Sequence, residues 1–294
     1  QRFFPASDRN QILIDLRLPE GTHLDEIDGY AHQLEADLQS RDDVTGVVAY
    51  VGRSAPHFYY NLSTIPRAPH FAQLVVNTTH QSENRALIEH VRSYAAEEMA
   101  EVQVVARGLE QGPGLPAPIE LRLTGDDLVL LRDASEHVMA QLREIDGAVD
   151  VRTDGGLGVP NIEIDVDDAA AARHGVTRLD VADALRGHTY GLGVGQYRGG
   201  EDPVPIMVRS PEGEDTPVDG LPALEVGRDA ASAVPLAQVA QTSVTWRPAA
   251  IYHYKGERKV SVLSEVSADH TSATIVAALM QRLEESPLPE GVTL

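Results

Sequence analysis

The chain has 294 residues, with Lys+Arg 24 against Asp+Glu 45, a formal charge of −21, and 42 % apolar residues. These are globular proportions, which exclude a disordered or fibrous chain, and the length suits two or three packed domains. The acidity excludes nucleic acid as a partner, because phosphate recognition needs clustered Lys and Arg. Cysteine is absent, so disulfides, thiolate catalysis and thiolate metal sites are excluded too. No apolar run approaches the roughly 18 residues of a membrane span. Gln1-Arg2-Phe3-Phe4-Pro5 lacks the apolar stretch of a signal peptide. The abrupt start, and the end at Gly291-Val292-Thr293-Leu294, read as those of a piece of something larger.

In chain order, Gln11 to Leu18 reads as a strand, apolar at nearly every position and stopped by Pro19-Glu20-Gly21. Thr22 is the expected cap of a helix that places Leu24, Ile27, Tyr30, Ala31, Leu34 and Leu38 on one face. Val44 to Val51 returns as a strand, and Phe71 to Val76 is another. A second helix buries Leu87, Val91, Tyr94 and Ala95, and Val102 to Val105 closes the unit. The order is β-α-β-β-α-β. The aromatic run Phe58-Tyr59-Tyr60 reads as an edge strand against a partner or, less readily, a stacking surface for a ligand.

Gly108 to Pro118 is rich in Gly and Pro and reads as a connector. The first pattern then recurs. Ile119-Glu120-Leu121-Arg122-Leu123 alternates as a strand, Asp126 or Asp127 caps a helix bearing Leu131, Ala134, Val138 and Leu142, and Val149 to Val151 returns after Gly147. A third copy runs from Val260 to Val266, through a helix capped at Asp269, to Gly291-Val292. Helices with one apolar stripe, paired with strands of this kind, are satisfied by two helices on one face of an antiparallel sheet, the split β-α-β or ferredoxin-like arrangement. The predicted fold class is therefore α+β, with two such subdomains. Asp167 to Arg247 has a different character. Two short helices, the second with a capping box at Thr177-Arg178-Leu179-Asp180, lead into short strands at 192–197, 204–209 and 244–246. This reads as a mixed α/β insert.

Catalytic signatures are missing. There is no His-Glu-x-x-His, no Gly-x-Ser-x-Gly and no phosphate loop. Gly191-x-Gly193-x-Gly195 has the wrong spacing for a dinucleotide, and Asp165-Val166-Asp167-Asp168 lacks the glycine of a Ca²⁺ loop. The eleven His are scattered, and Met99, Met139 and Met280 fall on predicted helices, which weakens a thioether site for Cu(I) or Ag(I). No cofactor, resident metal or enzymatic activity is expected.

Several segments, taken in order, carry a family resemblance. Phe4-Pro5 with Asp8 and then Leu18-Pro19-Glu20-Gly21-Thr22 come first, followed by Val51-Gly52-Arg53 and Val151-Arg152-Thr153-Asp154-Gly155. The most specific is Ile162-Glu163-Ile164-Asp165-Val166-Asp167, continued by Ala172, Gly175-Val176 and Asp180-Val181. Val234-Pro235-Leu236, Val239-Ala240 and Tyr254-Lys255-Gly256 follow. Together they resemble the second large periplasmic loop of resistance-nodulation-division (RND) transporters of the AcrB type, the hydrophobe/amphiphile efflux pumps.

The resemblance implies a porter subdomain PC1 over residues 1–112, a second, PC2, over 113–166 with 249–294, and the DC half of a docking domain over 167–248. It implies the periplasmic part of a bacterial inner-membrane pump driven by protons, acting as a homotrimer with an adaptor and an outer-membrane channel. Its substrates would be small amphiphiles bound in a cleft between PC1 and PC2. Carried over to this sequence, Ile119, Leu121 and Leu123 match the strand that lines that cleft, and Arg152 matches a cleft arginine of some members. Plain core packing is the alternative for the three strand residues, and an ion pair the alternative for Arg152. A metal-exporting member of the superfamily, or a ferredoxin-like binding module without transport, are the other readings. The first relies on Met in the cleft, where this strand carries Ile, Leu and Leu.

Overall fold

The computed structural model describes residues 7–109, 111, 114–155, 158–200, 202–211, 213, 216–228, 232–267 and 269–294. The Phe4-Pro5 element of the resemblance, and Glu110, Gly112 and Pro113 of the connector, lie outside them. The chain forms two compact units, Gln1–Val159 with Pro248–Leu294, and Pro160–Arg247.

The first unit opens with β1 (Gln11–Arg17), α1 (Leu24–Gln39), β2 (Val44–Val51), β3 (Phe71–Thr78), α2 (Asn84–Glu98) and β4 (Gln103–Gly108). They build one antiparallel sheet of order β2-β3-β1-β4. Both helices cover the same face. Ile27, Ala31, Leu34 and Leu38 of α1 and Leu87 and Val91 of α2 pack on Ile12, Ile14, Leu16, Ala72, Leu74 and Val76. Full burial of such a side chain contributes about 1.5–3 kcal/mol, so this layer dominates the lobe's stability. The cap of α1 is His23, whose side chain accepts from the Asp25 N–H. Thr22, the expected cap, instead donates its hydroxyl to the Pro19 carbonyl inside the preceding turn. Leu24 is accordingly exposed at the start of the helix rather than buried. Phe58, Tyr59 and Tyr60 lie in turns, not in an edge strand; Phe58 and Tyr60 are exposed, and Tyr59 packs beside Leu13 and Val75.

A second lobe of the same unit begins with β5 (Ile119–Thr124), α3 (Leu128–Arg143) and β6 (Ala148–Thr153). Asp127 caps α3, accepting from the Val129 and Leu130 N–H groups. Gly147 ends the turn after α3 at φ 90°, and a Cβ there would collide with the His270 ring, so only glycine fits.

The chain then enters the second unit through β7 (Val159–Val166), α4 (Asp168–Arg173), α5 (Arg178–Thr189), β8 (Leu192–Tyr197), β9 (Val204–Val208), β10 (Glu225–Val226), β11 (Val234–Pro235) and β12 (Ala240–Arg247). Its strands form three two-stranded sheets, β12-β7, β8-β9 and β10-β11. The insert thus takes in β7, which the sequence reading left with the second lobe; pairing with β12 decides its place. The core is small, with Ala171, Val176, Val181, Val226, Leu236 and Val239 at its centre. The Thr177–Asp180 capping box forms as expected.

The second lobe resumes with β13 (Tyr252–Tyr254), β14 (Glu257–Val266) and α6 (Ser272–Glu285). β14 pairs antiparallel with β5, with β6 and with β13, and Thr293 bridges Thr124 on the far side of β5. This repeats the strand order of the first lobe. Thr271, not Asp269, caps α6. The architecture is α+β, two open-faced sheets each carrying two helices, with a mixed α/β insert between β6 and β13.

Candidate functional site

Side chains alternate across a strand, so a sheet with helices on one face presents every second residue to the other. On β1 that other face is Leu13, Asp15 and Arg17; on β4 it is Gln103, Val105 and Arg107. In the second lobe Arg152 and Asp154 at the end of β6, and Leu263 and Glu265 of β14, stand opposite them. All of these residues line one cleft of about 700 Å³ in the first unit, together with Glu20, Leu62, His70, Leu115 and Met139.

Ionic pairs fill its wall. Asp15 accepts from Gln73 Nε2 at 2.6 Å and from Arg107 Nη2 at 3.2 Å. The Gln73 amide is itself fixed, since its oxygen accepts from the Ala55 N–H at 2.9 Å. Across the cleft Arg152 donates to Glu265 Oε1 at 3.0 Å and to the Pro116 carbonyl at 2.9 Å. Arg152 is 8 % exposed and Glu265 7 %, so neither charge could stay there without the other. Burial pushes the Glu265 carboxyl above its ordinary range, and Arg152 pulls it only part of the way back. Lys259 Nζ meets Asp154 at 2.8 Å and Ser261 Oγ at 2.6 Å. His70 stands 4.0 Å from Glu20. Burial holds its pKa below the usual imidazole value, against the pull of Glu20.

A part-buried contact ties the lobes together. Arg92 on α2 reaches Asp150 on β6 through Nε at 3.0 Å and Nη2 at 2.9 Å. Asp150 adopts φ 51°, a left-handed conformation that costs a non-glycine residue about 1 kcal/mol or more. Burial raises its pKa despite Arg92. The neighbouring Arg85–Asp269 pair, at 3.4 Å, is exposed.

The residues singled out from the sequence separate here. Arg152 lines the cleft. Ile119, Leu121 and Leu123 do not; they lie in the core with Leu131, Val138, Ile275 and Leu279 of α3 and α6. The cause is the period of two. The apolar side of β5 turns to its helices, while Glu120 and Arg122 take the opposite side, paired with each other at 2.9 Å. Asp15, Arg17, Arg107 and Glu265 were missed. A signal was present, since Asp15 and Arg17 are charged residues two apart in an otherwise apolar strand.

Comparison with known proteins places this geometry. The profile described as the AcrB/AcrD/AcrF family matches residues 1–294, the whole chain. The chain belongs to the AcrB/AcrD/AcrF family. The match supports a place among the RND transporters. The nickel and cobalt resistance protein CnrA of Cupriavidus metallidurans is 26 % identical over 310 residues, covering 99 % of this chain and 28 % of that protein. The cobalt-zinc-cadmium resistance protein CzcA of the same species is 27 % identical over 183 residues, 60 % of this chain and 17 % of its own. A heavy metal efflux pump, in its crystal form I, superimposes with a TM-score of 0.81 at 22 % identity, covering 98 % of this chain and 30 % of the pump. The chain thus spans less than a third of each relative. No helix among the described residues is long and apolar enough to cross a membrane.

Proposed function

We propose that this chain is the periplasmic porter and docking portion of an RND subunit that exports divalent heavy-metal cations, and that the cleft between its two lobes is on the substrate path. The similarity to nickel, cobalt, zinc and cadmium resistance proteins carries the choice of cargo. It reverses the ranking that the sequence suggested, in which amphiphiles came first and metals second. The domain assignment follows the same reading: the first lobe as PC1, the second as PC2, the insert as the DC half of a docking domain. The rest of the subunit, a homotrimeric partner set, an adaptor and an outer-membrane channel complete the proposed machine. This portion has transport, not bond-making, as its role.

Donor chemistry favours borderline cations. The cleft offers the carboxylates Glu20 and Glu101, the ion-paired Asp15, Asp154 and Glu265, and the imidazole of His70, against one thioether, Met139. Carboxylate and imidazole suit Zn²⁺, Co²⁺ and Ni²⁺, whereas Cu(I) and Ag(I) want sulfur. The expected dependence on Met in the cleft strand is thus not required. Among the described residues no three His, Asp or Glu stand together as a ready site. The chain then supplies part of a coordination shell, completed by other segments of the pump or by rocking of the two lobes.

The test is growth of a metal-sensitive host carrying the full-length pump. Rescue on Ni²⁺, Co²⁺, Zn²⁺ or Cd²⁺, lost on Glu20→Gln with His70→Ala, supports the reading. Rescue on dyes and bile salts alone would restore the amphiphile reading, for which Leu13, Leu62, Leu109 and Leu115 provide an apolar wall.

A further inference from the structure

The cleft of this acidic chain is lined by guanidinium groups as well as by acids, four arginines among five carboxylates. Arg17, Arg107 and Arg152 all line it. The two carboxylates among them are already engaged, Asp15 by Gln73 and Arg107, and Glu265 by Arg152. Arg17 makes no ion pair among the described residues; its nearest organised contact is the Phe71 ring, with the guanidinium 4.9 Å from the centroid. Nε of Arg107 is buried with no hydrogen-bond partner among the described residues. A buried donor left unmade is costly, so its persistence asks for a function.

We propose that the inner cleft is an oxyanion site, in which Arg17 and Arg107, backed by Arg152, receive the carboxylate or phosphate group of a small ligand. Guanidinium forks match either group through paired N–H donors. Of the remaining acids of the lining, Asp154 is paired with Lys259, Glu101 accepts from the neutral Tyr30 hydroxyl, and Glu20 stands 4.0 Å from His70. The overall charge of −21 does not forbid an anion, because charges beyond a Debye length of about 8 Å are largely screened.

The local electrostatics agree. The Arg17 guanidinium is held below its ordinary pKa, first by the protein packed around it, against the pull of Asp15, and then by the like charges of Arg152 and Arg107. An anion between them relieves that repulsion. For the proposed metal pump the site has a consequence: a cation could enter the cleft as an anionic chelate, its carboxylates on the arginines. The site itself rests on the cleft geometry and not on that choice of cargo.

Isothermal titration of the 294-residue chain with citrate, and separately with inorganic phosphate, tests it. Saturable binding of at least one, weakened by added salt and by about tenfold on Arg17→Gln, is expected, since one charge-assisted hydrogen bond is worth roughly that factor. The stronger of the two names the group. Arg17→Lys should fall between, keeping the charge without the fork. Arg132→Gln, outside the cleft, should change nothing. Circular dichroism confirms that each variant is folded. No saturable binding of either anion, or binding untouched by Arg17→Gln, overturns the proposal. A parallel titration with Zn²⁺ alone reads on the metal cargo only, so the two ideas fail separately.

Discussion

On β1, Ile12, Ile14 and Leu16 lie under two helices and are fully buried, whereas Leu13, Asp15 and Arg17, one residue out of step, line the cleft. The second lobe repeats the division. Ile119, Leu121 and Leu123 face α3 and α6, while Arg152 and Glu265 face the cleft. A single layer of backbone therefore separates two chemistries. The covered face is close-packed hydrocarbon, stabilising by area removed from water. The open face is held by paired charges, which contribute little net stability but fix side chains in place. The lesson is that in this two-lobed unit the core and the cleft wall share strands, and parity decides which residue serves which.

That contrast can be broken one face at a time. Ile14→Ala empties a site under α1 and α2 and should cost about 4 kcal/mol, read by denaturant unfolding. Arg152→Met, on the cleft face, should cost about 3 kcal/mol, because it strands Glu265 in a dry site. Adding Glu265→Leu should return most of that loss; a double variant no better than the single would show that packing, not charge, matters there. Arg92→Ala removes the part-buried tie between lobes and should cost about 1–2 kcal/mol, with increased hydrogen exchange at β6.

A graded effect of pH follows from the same face. Glu265 and Asp150 have carboxyl pKa values raised in the folded chain, chiefly by burial. Between the ordinary and the raised values the folded state binds more protons than the unfolded one, so stability falls as pH rises through that window. Above it the penalty is constant. Melting temperature against pH should show this decline, and Glu265→Gln with Asp150→Asn should flatten it. A decline unchanged in that double variant would assign it to other groups. Smallest of all, Arg132→Ala on the exposed side of α3 should shift stability by no more than about 0.5 kcal/mol.

Much of the fold was legible because its signals are local and strong. The apolar stripe of α3 and its Asp127 cap, the Thr177–Asp180 box and the glycine stop at Gly147 all lie within a few residues of the feature they specify. Caps with competing candidates were harder. Thr22 and His23 both can cap α1, and the turn through Pro19 captures the Thr22 hydroxyl first. The place of β7 depends on β12, more than 70 residues away, and no local pattern encodes it. The cleft was legible only in part. Resemblance pointed to β5, but its apolar residues lie under the helices, and the second lobe's cleft wall comes from β6, β14 and the segment before β5. Arg152 lines the cleft; its partner Glu265, 113 positions on, is joined to it only by folding.

We propose that the open faces of the two sheets form the path of a divalent cation. Paramagnetic broadening by Co²⁺ in the isotopically labelled chain tests it most directly, because the broadening detects even a weakly held ion by position. The account predicts selective loss of amide signals around Glu20, His70, Asp154 and Glu265, reversed by excess Zn²⁺. Broadening confined to acidic surface away from the cleft, with those four segments untouched, would contradict it.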